Sequence, residues 1–377
     1  MNAWLPRTLA QWFALLIGVA ALVACLLLGL SHDPKQALLS YLFAFFFFAG
    51  LAIGSLALLM IHAITGGEWG DCIRPQLLAA ARMLPLMALA AIPVLVWTQV
   101  LYDWTAPATL AHDLQRRQQT WYLDPTFFVI RTVVYFVVWI GWLVAFTRNM
   151  DDRVLARRIA APGLIVFGVS SLLASVDWAV SLTPHWHSSI FGMMVGTGWL
   201  LGACALATAA AVWTREGDAA TEPGVLHDLG NMLLMFVLAW SYLAFMQYLT
   251  VWIADLPDEN AWYIPRTLTS WRYLAWFLIA FNFALPFATL LSRTAKRRRT
   301  WLRAVAVMLV VANFADAFWL TVPSFRASGF ALRWTDLCAP VGLGALWWCG
   351  WAGQLRWARR MSQSSAATAN GLERSHG

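Results

Sequence analysis

Ionisable side chains inside apolar sequence are the residues of this chain best placed to do chemistry. Asp177 is followed by two histidines, His185 and His187, and Arg131 lies in the preceding apolar segment. A charged group is costly in hydrocarbon, so such residues are by default candidates for function. A carboxylate and a nearby imidazole can accept the protons that a quinol releases. The pattern therefore predicts a proton relay or a quinone pocket around Asp177.

Arg131 and Asp177 lie at matched depth on consecutive predicted helices. Each is a few residues from the same end of its apolar segment, and at about 1.5 Å per residue both lie on the order of 10 Å below the outer surface. Gln99 lies near that surface at the end of another segment. Two interpretations stay open: a proton relay, or a buried salt bridge that only holds the helices together.

Three short motifs occur twice, in the same order along the chain. They are Gln99-x-Leu101-x-x-Trp104, repeated as Gln247-x-Leu249-x-x-Trp252; Trp121-Tyr122 with Arg131, repeated as Trp262-Tyr263 with Arg272; and Asp177 with Pro184, repeated as Asp316 with Pro323. This order predicts a duplicated helical bundle. Arg272 and Asp316 are predicted to form a second ion pair. The second copy has no histidine after Asp316, so the first is the better candidate for proton chemistry.

A glycine-rich turn at the other predicted membrane face carries a third group of candidates. His62, Glu68 and Asp71 surround Gly66-Gly67, where glycine lets the backbone turn sharply. One interpretation is a cytoplasmic mouth for protons, with His62 and Glu68 as carriers. The other is a helix terminator with a polar cap, which base rates favour.

The composition places the protein in a bilayer. Hydrophobic residues make up 60% and charged residues 12% of the 377 residues, and the mean hydropathy is +0.63. A helix needs about 20 apolar residues to span the hydrocarbon. Ten segments qualify, at about 9–30, 37–62, 79–101, 126–147, 160–182, 188–213, 229–253, 270–291, 301–320 and 335–356. The sequence thus predicts an all-α integral membrane protein with ten transmembrane helices.

The basic residues predict the orientation. Most of the 26 lysines and arginines fall at the termini and in the even-numbered gaps, which predicts cytoplasmic N- and C-termini. The run Lys296-Arg297-Arg298-Arg299 is interpreted as a topology anchor that contacts anionic lipid, not nucleic acid. Several of the 24 tryptophans, such as Trp104, Trp121, Trp252 and Trp262, lie near span ends and are predicted to anchor at the interface.

The sequence argues against bound metal and haem. The five cysteines show no CxxC spacing, which disfavours a disulfide framework, an iron–sulfur cluster and a c-type haem. A b-type haem usually takes two histidines within spans, and only His62 lies at a span boundary. His185-x-His187 has no carboxylate or cysteine in its loop, so a metal site is not expected there.

Three multi-residue blocks resemble a membrane subunit of alternative complex III, the bacterial quinol:cytochrome c oxidoreductase. The blocks are His-x-x-x-Gly-Gly-x-Trp at 62–69, Asp-Trp-x-x-Ser-Leu-x-Pro-His-Trp at 177–186, and Gln-Tyr-x-x-x-Trp with Leu-Pro-x-Glu-x-x-Trp-Tyr at 247–263. The chain is most similar to the second of the two large quinone-binding-type subunits, within the NrfD-like, polysulfide-reductase membrane-subunit superfamily. Its C-terminal third matches only in general character.

The resemblance implies an architecture and a set of partners. It implies two duplicated four-helix bundles, helices 2–5 (37–187) and helices 6–9 (188–323), with a peripheral helix at 1–36 and a last helix and tail at 324–377. It implies a bacterial inner membrane, a sister NrfD-like subunit, an iron–sulfur subunit and c-type cytochromes on the outer face. A quinone or quinol is the one cofactor it suggests. The chain shows no redox-cofactor ligands, so electrons must pass to a partner.

Two other function classes stay open. A secondary transporter with duplicated bundles fits the parallel order of the repeats, although no paired Gly/Pro-broken helices are expected at midplane. An NrfD-like anchor of another oxidoreductase, which binds menaquinone itself, fits the same superfamily.

Overall fold

The fold is built from α-helices alone within the part of the chain that is described. The computed structural model describes residues 8–106, 121–213 and 222–375, and no β-strand occurs in these ranges. The all-α prediction is therefore confirmed for these residues.

Ten main helical elements follow one another, two of them interrupted. They are α1 (Leu9–His32), α2 (Pro34–Thr65), α3 (Glu68–Ala81, Leu84–Ala90, Ile92–Val96 and Thr98–Leu101), α4 (Pro125–Arg148), α5 (Arg153–Trp178), α6 (Phe191–Trp213), α7 (Pro223–Ala254), α8 (Arg272–Leu278, Ile279–Ala284 and Leu285–Leu291), α9 (Arg299–Thr321) and α10 (Thr335–Ser375). Short helical turns at Asp103–Thr105, Val180–Leu182, Pro257–Asn260, Ile264–Leu268, Arg293–Lys296 and Val322–Ser324 join them.

Nine of the described helices, α1 to α9, are long and apolar enough to cross a membrane. The chain is therefore a multi-pass membrane protein. The tenth predicted span, 335–356, lies within α10, which is not among the nine, so the count of ten stays a prediction.

The helices alternate between two faces of the membrane region. At the Asp177 face, α5 ends at Trp178, α7 at Ala254 and α9 at Thr321, and α4, α6 and α8 begin. At the His62 face, α2 ends at Thr65 and α3 begins. Which face lies outside the cell stays a prediction.

Helix α2 is the centre of the molecule. It packs against α1, α3, α5, α6, α9 and α10, and its most apolar stretch is buried throughout. Asp33 caps its start by accepting a hydrogen bond from the backbone N–H of Gln36, and Pro34 occupies the first turn. Gly66 and Gly67 end it with φ of 70° and 104°, a conformation that glycine adopts without strain.

The remaining contacts follow the order of the predicted domains. In the first half α3 packs on α2 and α4, and α5 packs on α4 and α2. In the second half α7 packs on α6 and α8, and α9 packs on α8 and α6. Helix α1 packs mainly along α10. The duplication and its boundaries at 37–187 and 188–323 stay predictions.

Two helices are broken where the sequence analysis expects continuous ones. Helix α3 is interrupted at Arg82–Met83, at Ala91 and at Trp97. Prolines lie directly after the first two interruptions, where their missing N–H removes a helical hydrogen bond. Helix α8 contains the π-helix Ile279–Ala284, whose Asn282 is fully buried with neither amide atom hydrogen-bonded. The broken helices α3 and α8 are not paired by the predicted repeat, so the expectation that no paired broken helices occur stays a prediction.

Two glycines let α2 approach α6 closely and so join the two halves. A Cβ on Gly54 would lie 2.2 Å from the backbone oxygen of Trp199, and a Cβ on Gly50 would lie 2.2 Å from the Trp199 indole. Small residues at this spacing are typical of close helix packing in membranes.

We predict that Gly54→Ala destabilises the protein by about 1–3 kcal/mol, because the obstacle is backbone and cannot move aside. The measurement is the melting temperature of the purified protein in detergent. The matched control is Gly168→Ala on α5, where a Cβ meets nothing within 4 Å. Equal melting temperatures for the two variants would contradict the close approach.

Candidate functional site

The structure brings Arg131 and Asp177 together in a bidentate ion pair. Arg131 lies two turns into α4 and Asp177 in the last turn of α5. The Arg131 Nη2 and Nε atoms lie 2.8 and 3.0 Å from the two Asp177 carboxylate oxygens. The Asp177 side chain is fully buried. Two charges removed from water need such geometry, since a lone buried charge is strongly disfavoured.

Tyrosines complete the surroundings of this pair. The Tyr135 hydroxyl donates to Asp177 Oδ2 at 2.7 Å, and Arg131 Nη1 donates to the backbone oxygen of Tyr122 at 2.9 Å. The Arg131 guanidinium also lies 3.9 Å from the centroid of the Tyr122 ring. Three donors thus occupy the Asp177 carboxylate. This is the geometry of the salt-bridge alternative, not of a carboxylate that is free to exchange protons.

The two histidines lie in the loop that follows Asp177. His185 is half-buried and His187 is exposed, with buried Trp186 between them. Trp186 stacks on Trp262 of the second half, with centroids 4.7 Å apart and planes inclined by 15°. The His185–His187 loop is therefore an interface between the two halves.

Gln99 and its repeat occupy different environments. Gln99 is exposed, and its backbone oxygen accepts a hydrogen bond from Thr105. Gln247 is buried, and its side-chain oxygen accepts a hydrogen bond from Ser188. Gln99 is therefore not part of the Asp177 cluster.

The predicted ion pair between Arg272 and Asp316 is not formed. Arg272 is the first residue of α8 and is exposed, with the Tyr273 hydroxyl 3.4 Å away. Asp316 is 4% exposed on α9. The spacing from the Trp-Tyr motif is the same in both copies, but α8 begins later than α4. Arg272 therefore stays at the surface, whereas Arg131 lies two turns inside.

Arg266 is the buried guanidinium of the second half. It is fully buried, stacks 3.5 Å from the Trp262 ring, and donates to the backbone oxygens of Trp262, Trp319 and Leu320. Burial lowers the pKa of Arg266 well below its ordinary value. It neutralises the negative end of α9 instead of a carboxylate. In the sequence, the one feature that points to Arg266 as a buried partner of Trp262 is its position one helical turn after that tryptophan.

Asp316 remains a buried carboxylate without a cation among the described residues. Asn313, one turn earlier, donates to the backbone oxygen of Gly198 at 2.9 Å. A Cβ on Gly198 would lie 3.8 Å from Asp316 Oδ2, so both side chains converge on α6. The Trp240 indole N–H faces the carboxylate without reaching hydrogen-bond geometry. Burial without a counter-charge favours the neutral form of a carboxyl group.

At the His62 face the candidates form a braced turn. The His62 Nε2 atom lies 3.0 Å from the Gly67 backbone oxygen and 3.8 Å from Asp71 Oδ1. The His62 ring packs edge-on against Trp69, and a Cβ on Gly70 would lie 2.0 Å from it. Glu68 is exposed at the start of α3. The geometry matches the helix-terminator alternative.

One member of the basic run is not on the surface. Lys296 is buried, its Nζ lies 2.6 Å from the Asn231 side-chain oxygen, and Asn231 lies 3.2 Å from a His227 ring nitrogen. Burial lowers the pKa of Lys296 from its ordinary value. The interpretation of residues 296–299 as surface anchors is therefore wrong for this lysine.

Several tryptophans predicted to anchor at the interface lie in the core instead. Trp104 and Trp262 are buried, whereas Trp121 and Trp252 are exposed as expected. The stacking of Trp262 on Trp186 and Arg266 explains its burial.

No cluster of three or more metal-ligating side chains occurs among the described residues. No model of a known protein family matches the chain, and no curated protein matches its sequence.

We predict that Asp177→Asn destabilises the protein by about 3–5 kcal/mol, because the Arg131 guanidinium then stays buried without its partner. The double variant Asp177→Asn/Arg131→Gln is expected to recover part of the loss. Melting temperatures of both single variants and the double variant form the thermodynamic cycle. Purely additive effects would contradict a direct pair.

Proposed function

We propose that this chain is an integral membrane subunit of a bacterial quinol:cytochrome c, or quinol:other-acceptor, oxidoreductase, and that it carries protons instead of electrons. The observation that carries the proposal is Asp316, a carboxyl group 4% exposed inside an apolar helix, with no cation beside it in the part of the chain that the structure describes. An intramembrane acid of this kind is expected to bind and release a proton.

The ion-paired Asp177 is a weaker candidate for this role. Its carboxylate already accepts hydrogen bonds from Arg131 and Tyr135, so a proton would have to displace the guanidinium. Asp316 has no such competitor. The proposal therefore assigns proton exchange to the second half of the chain and a structural role to Arg131 and Asp177.

The sequence blocks that resemble alternative complex III support the proposed partners. The block 177–186 contacts the block 247–263 through Trp186 and Trp262 at the Asp177 face. We assign this face to the outer side of a bacterial inner membrane, with both termini in the cytoplasm. A c-type cytochrome and an iron–sulfur subunit would contact it there. Quinol oxidation itself is assigned to the sister NrfD-like subunit, which passes protons to this chain.

A secondary transporter is the second candidate, and the broken helices α3 and α8 favour it. Non-helical backbone at membrane depth and an unpaired buried amide, such as that of Asn282, occur where helices line a substrate path. The two helices that are broken, α3 and α8, are not paired with each other by the predicted repeat. An anchor that binds menaquinone would differ from the first proposal in its catalytic partner.

Gentle purification tests the assembly. We expect the protein to co-migrate with haem-containing and iron–sulfur partners while it carries no haem itself. Mass spectrometry of the purified material identifies the partners, and a molybdopterin subunit among them would favour the menaquinone anchor. Recovery of the chain as a stable monomer would contradict the subunit proposal.

We predict that Asp316→Asn lowers quinol-linked turnover, or the protons released per electron, by about tenfold or more. The physical reason is that an amide of the same shape cannot exchange a proton. Turnover and external pH are measured together on the complex in sealed liposomes. The control is Asp258→Asn, an exposed acid in the short helical turn Pro257–Asn260 between α7 and α8. Normal turnover and proton yield in an intact Asp316→Asn complex would remove the proton-carrier role.

A further inference from the structure

An apolar groove opens sideways between α9 and α10, with α2 as its floor. Its volume is about 540 Å³, within the range of small-molecule sites. Phe43 and Phe47 of α2 and Phe314 and Phe318 of α9 form the floor, with ring centroids 5.0 to 5.3 Å apart. These edge-to-face contacts hold the floor in shape before anything binds.

The rim of the groove is exposed and apolar. Its exposed side chains are those of Val311, Phe330, Leu332, Leu337 and Val341. The lining extends along α9 from Val310 to Phe318, which is about 12 Å at the helical rise. This is close to the roughly 15 Å depth of one hydrocarbon leaflet.

Asp336 is the one ionisable group that lines the groove, and its carboxylate is already occupied. It accepts hydrogen bonds from Arg326 Nη1 at 2.7 Å, from Arg326 Nη2 at 2.8 Å and from the Ser40 hydroxyl at 2.6 Å. The backbone N–H of Arg333 adds another at 2.9 Å. A quinone ring or a polar substrate would therefore find no free hydrogen-bonding partner at Asp336. The groove is suited to a hydrocarbon chain.

A cation without a carboxylate partner among the described residues directly follows the segment that is bonded to the Asp177-face end of the groove. Trp271 donates to the Arg326 backbone oxygen at 2.8 Å, and Ser270 accepts from the Phe330 N–H at 2.7 Å. These bonds fasten the start of α8 to the loop that ends the groove. Arg272 follows directly, exposed and with no acid within ion-pair distance among the described residues.

Other cations at this end are already paired. Lys35 lies 2.6 Å from Asp103, and Arg333 lies 2.8 Å from Asp33. Among the described residues, Arg272 is thus a positive charge without an acidic partner, two residues before Leu274, which lines the groove.

We infer that the groove binds one acyl chain of an anionic phospholipid whose phosphate contacts Arg272. The chain fills the space between α2, α9 and α10, where side chains would otherwise lose contacts. The phosphate accepts charge-assisted hydrogen bonds from the guanidinium. Such a lipid joins α9 of the second half to α2 of the first. The inference does not depend on the proposed function.

Native mass spectrometry of the full chain, purified in mild detergent, tests the site. We expect the wild type to retain phospholipid and Ala315→Trp to lose it by about tenfold, because an indole from α9 occupies the groove. Val341→Trp fills the groove from α10 and gives an independent second variant. Val137→Trp, at a 64% exposed position of α4 outside the groove, is the control and should retain lipid like the wild type.

The headgroup is tested on delipidated protein titrated with phosphatidylglycerol or phosphatidylcholine. Arg272→Gln should weaken phosphatidylglycerol binding by about tenfold, which is the loss of one charge-assisted contact. The control is Arg293→Gln, an exposed arginine at the His62 face.

Three results would overturn the inference. One is a wild type that retains no phospholipid, as expected if a helix of a partner filled the groove. Another is the retention of quinone in place of phospholipid. The last is equal retention by the wild type, Ala315→Trp and Val341→Trp.

Discussion

The cost of a charge in hydrocarbon is the constraint on which the rest of this structure depends. The Asp177 carboxylate is stabilised by hydrogen bonds from Arg131 and Tyr135, and the Asp336 carboxylate by hydrogen bonds from Arg326 and Ser40. The buried Arg266 guanidinium is stabilised by the face of the Trp262 ring and by hydrogen bonds to backbone oxygens. Each solution ties together segments that are distant in the chain. Asp316 has no such cation among the described residues, and for this reason we propose that it exchanges protons.

The two halves are joined by close packing and by aromatic stacking. Because Gly50 and Gly54 have no Cβ, Trp199 of α6 lies directly against the backbone of α2. Dispersion forces stabilise this close contact between the two helices. Trp186 and Trp262 stack at the Asp177 face. Helix α2 packs against both α9 and α10. The groove in which we infer a lipid is the gap that remains between these two helices. The two halves are therefore closely packed where α2 contacts α6, and a groove opens where α9 and α10 diverge over α2.

The architecture separates two kinds of buried polar group. The Arg131–Asp177 and Arg326–Asp336 pairs are saturated and sit near the Asp177 face. In the second half, Asp316 has no cation among the described residues, and Asn282 lies in a π-helix, a feature often found at functional sites, with neither side-chain amide atom hydrogen-bonded. This difference supports the proposed proton-carrying role of the second half, whereas the sequence pattern favours the first half through the histidines near Asp177.

Sequence by itself determined the class of the protein, the approximate bounds of the apolar helices and the matched positions of Arg131 and Asp177 near the same ends of α4 and α5. Apolar runs and a constant rise per residue are local properties, so they can be read along the chain. Only the tertiary structure decided that Arg266 and not Arg272 is buried, and that no cation among the described residues pairs with Asp316. It also decided that His62 braces a turn and that a groove opens beside α2. A side chain's direction advances about 100° per residue from wherever its helix begins, and a gap between helices depends on side chains from three elements at once. Neither quantity is local to any stretch of sequence.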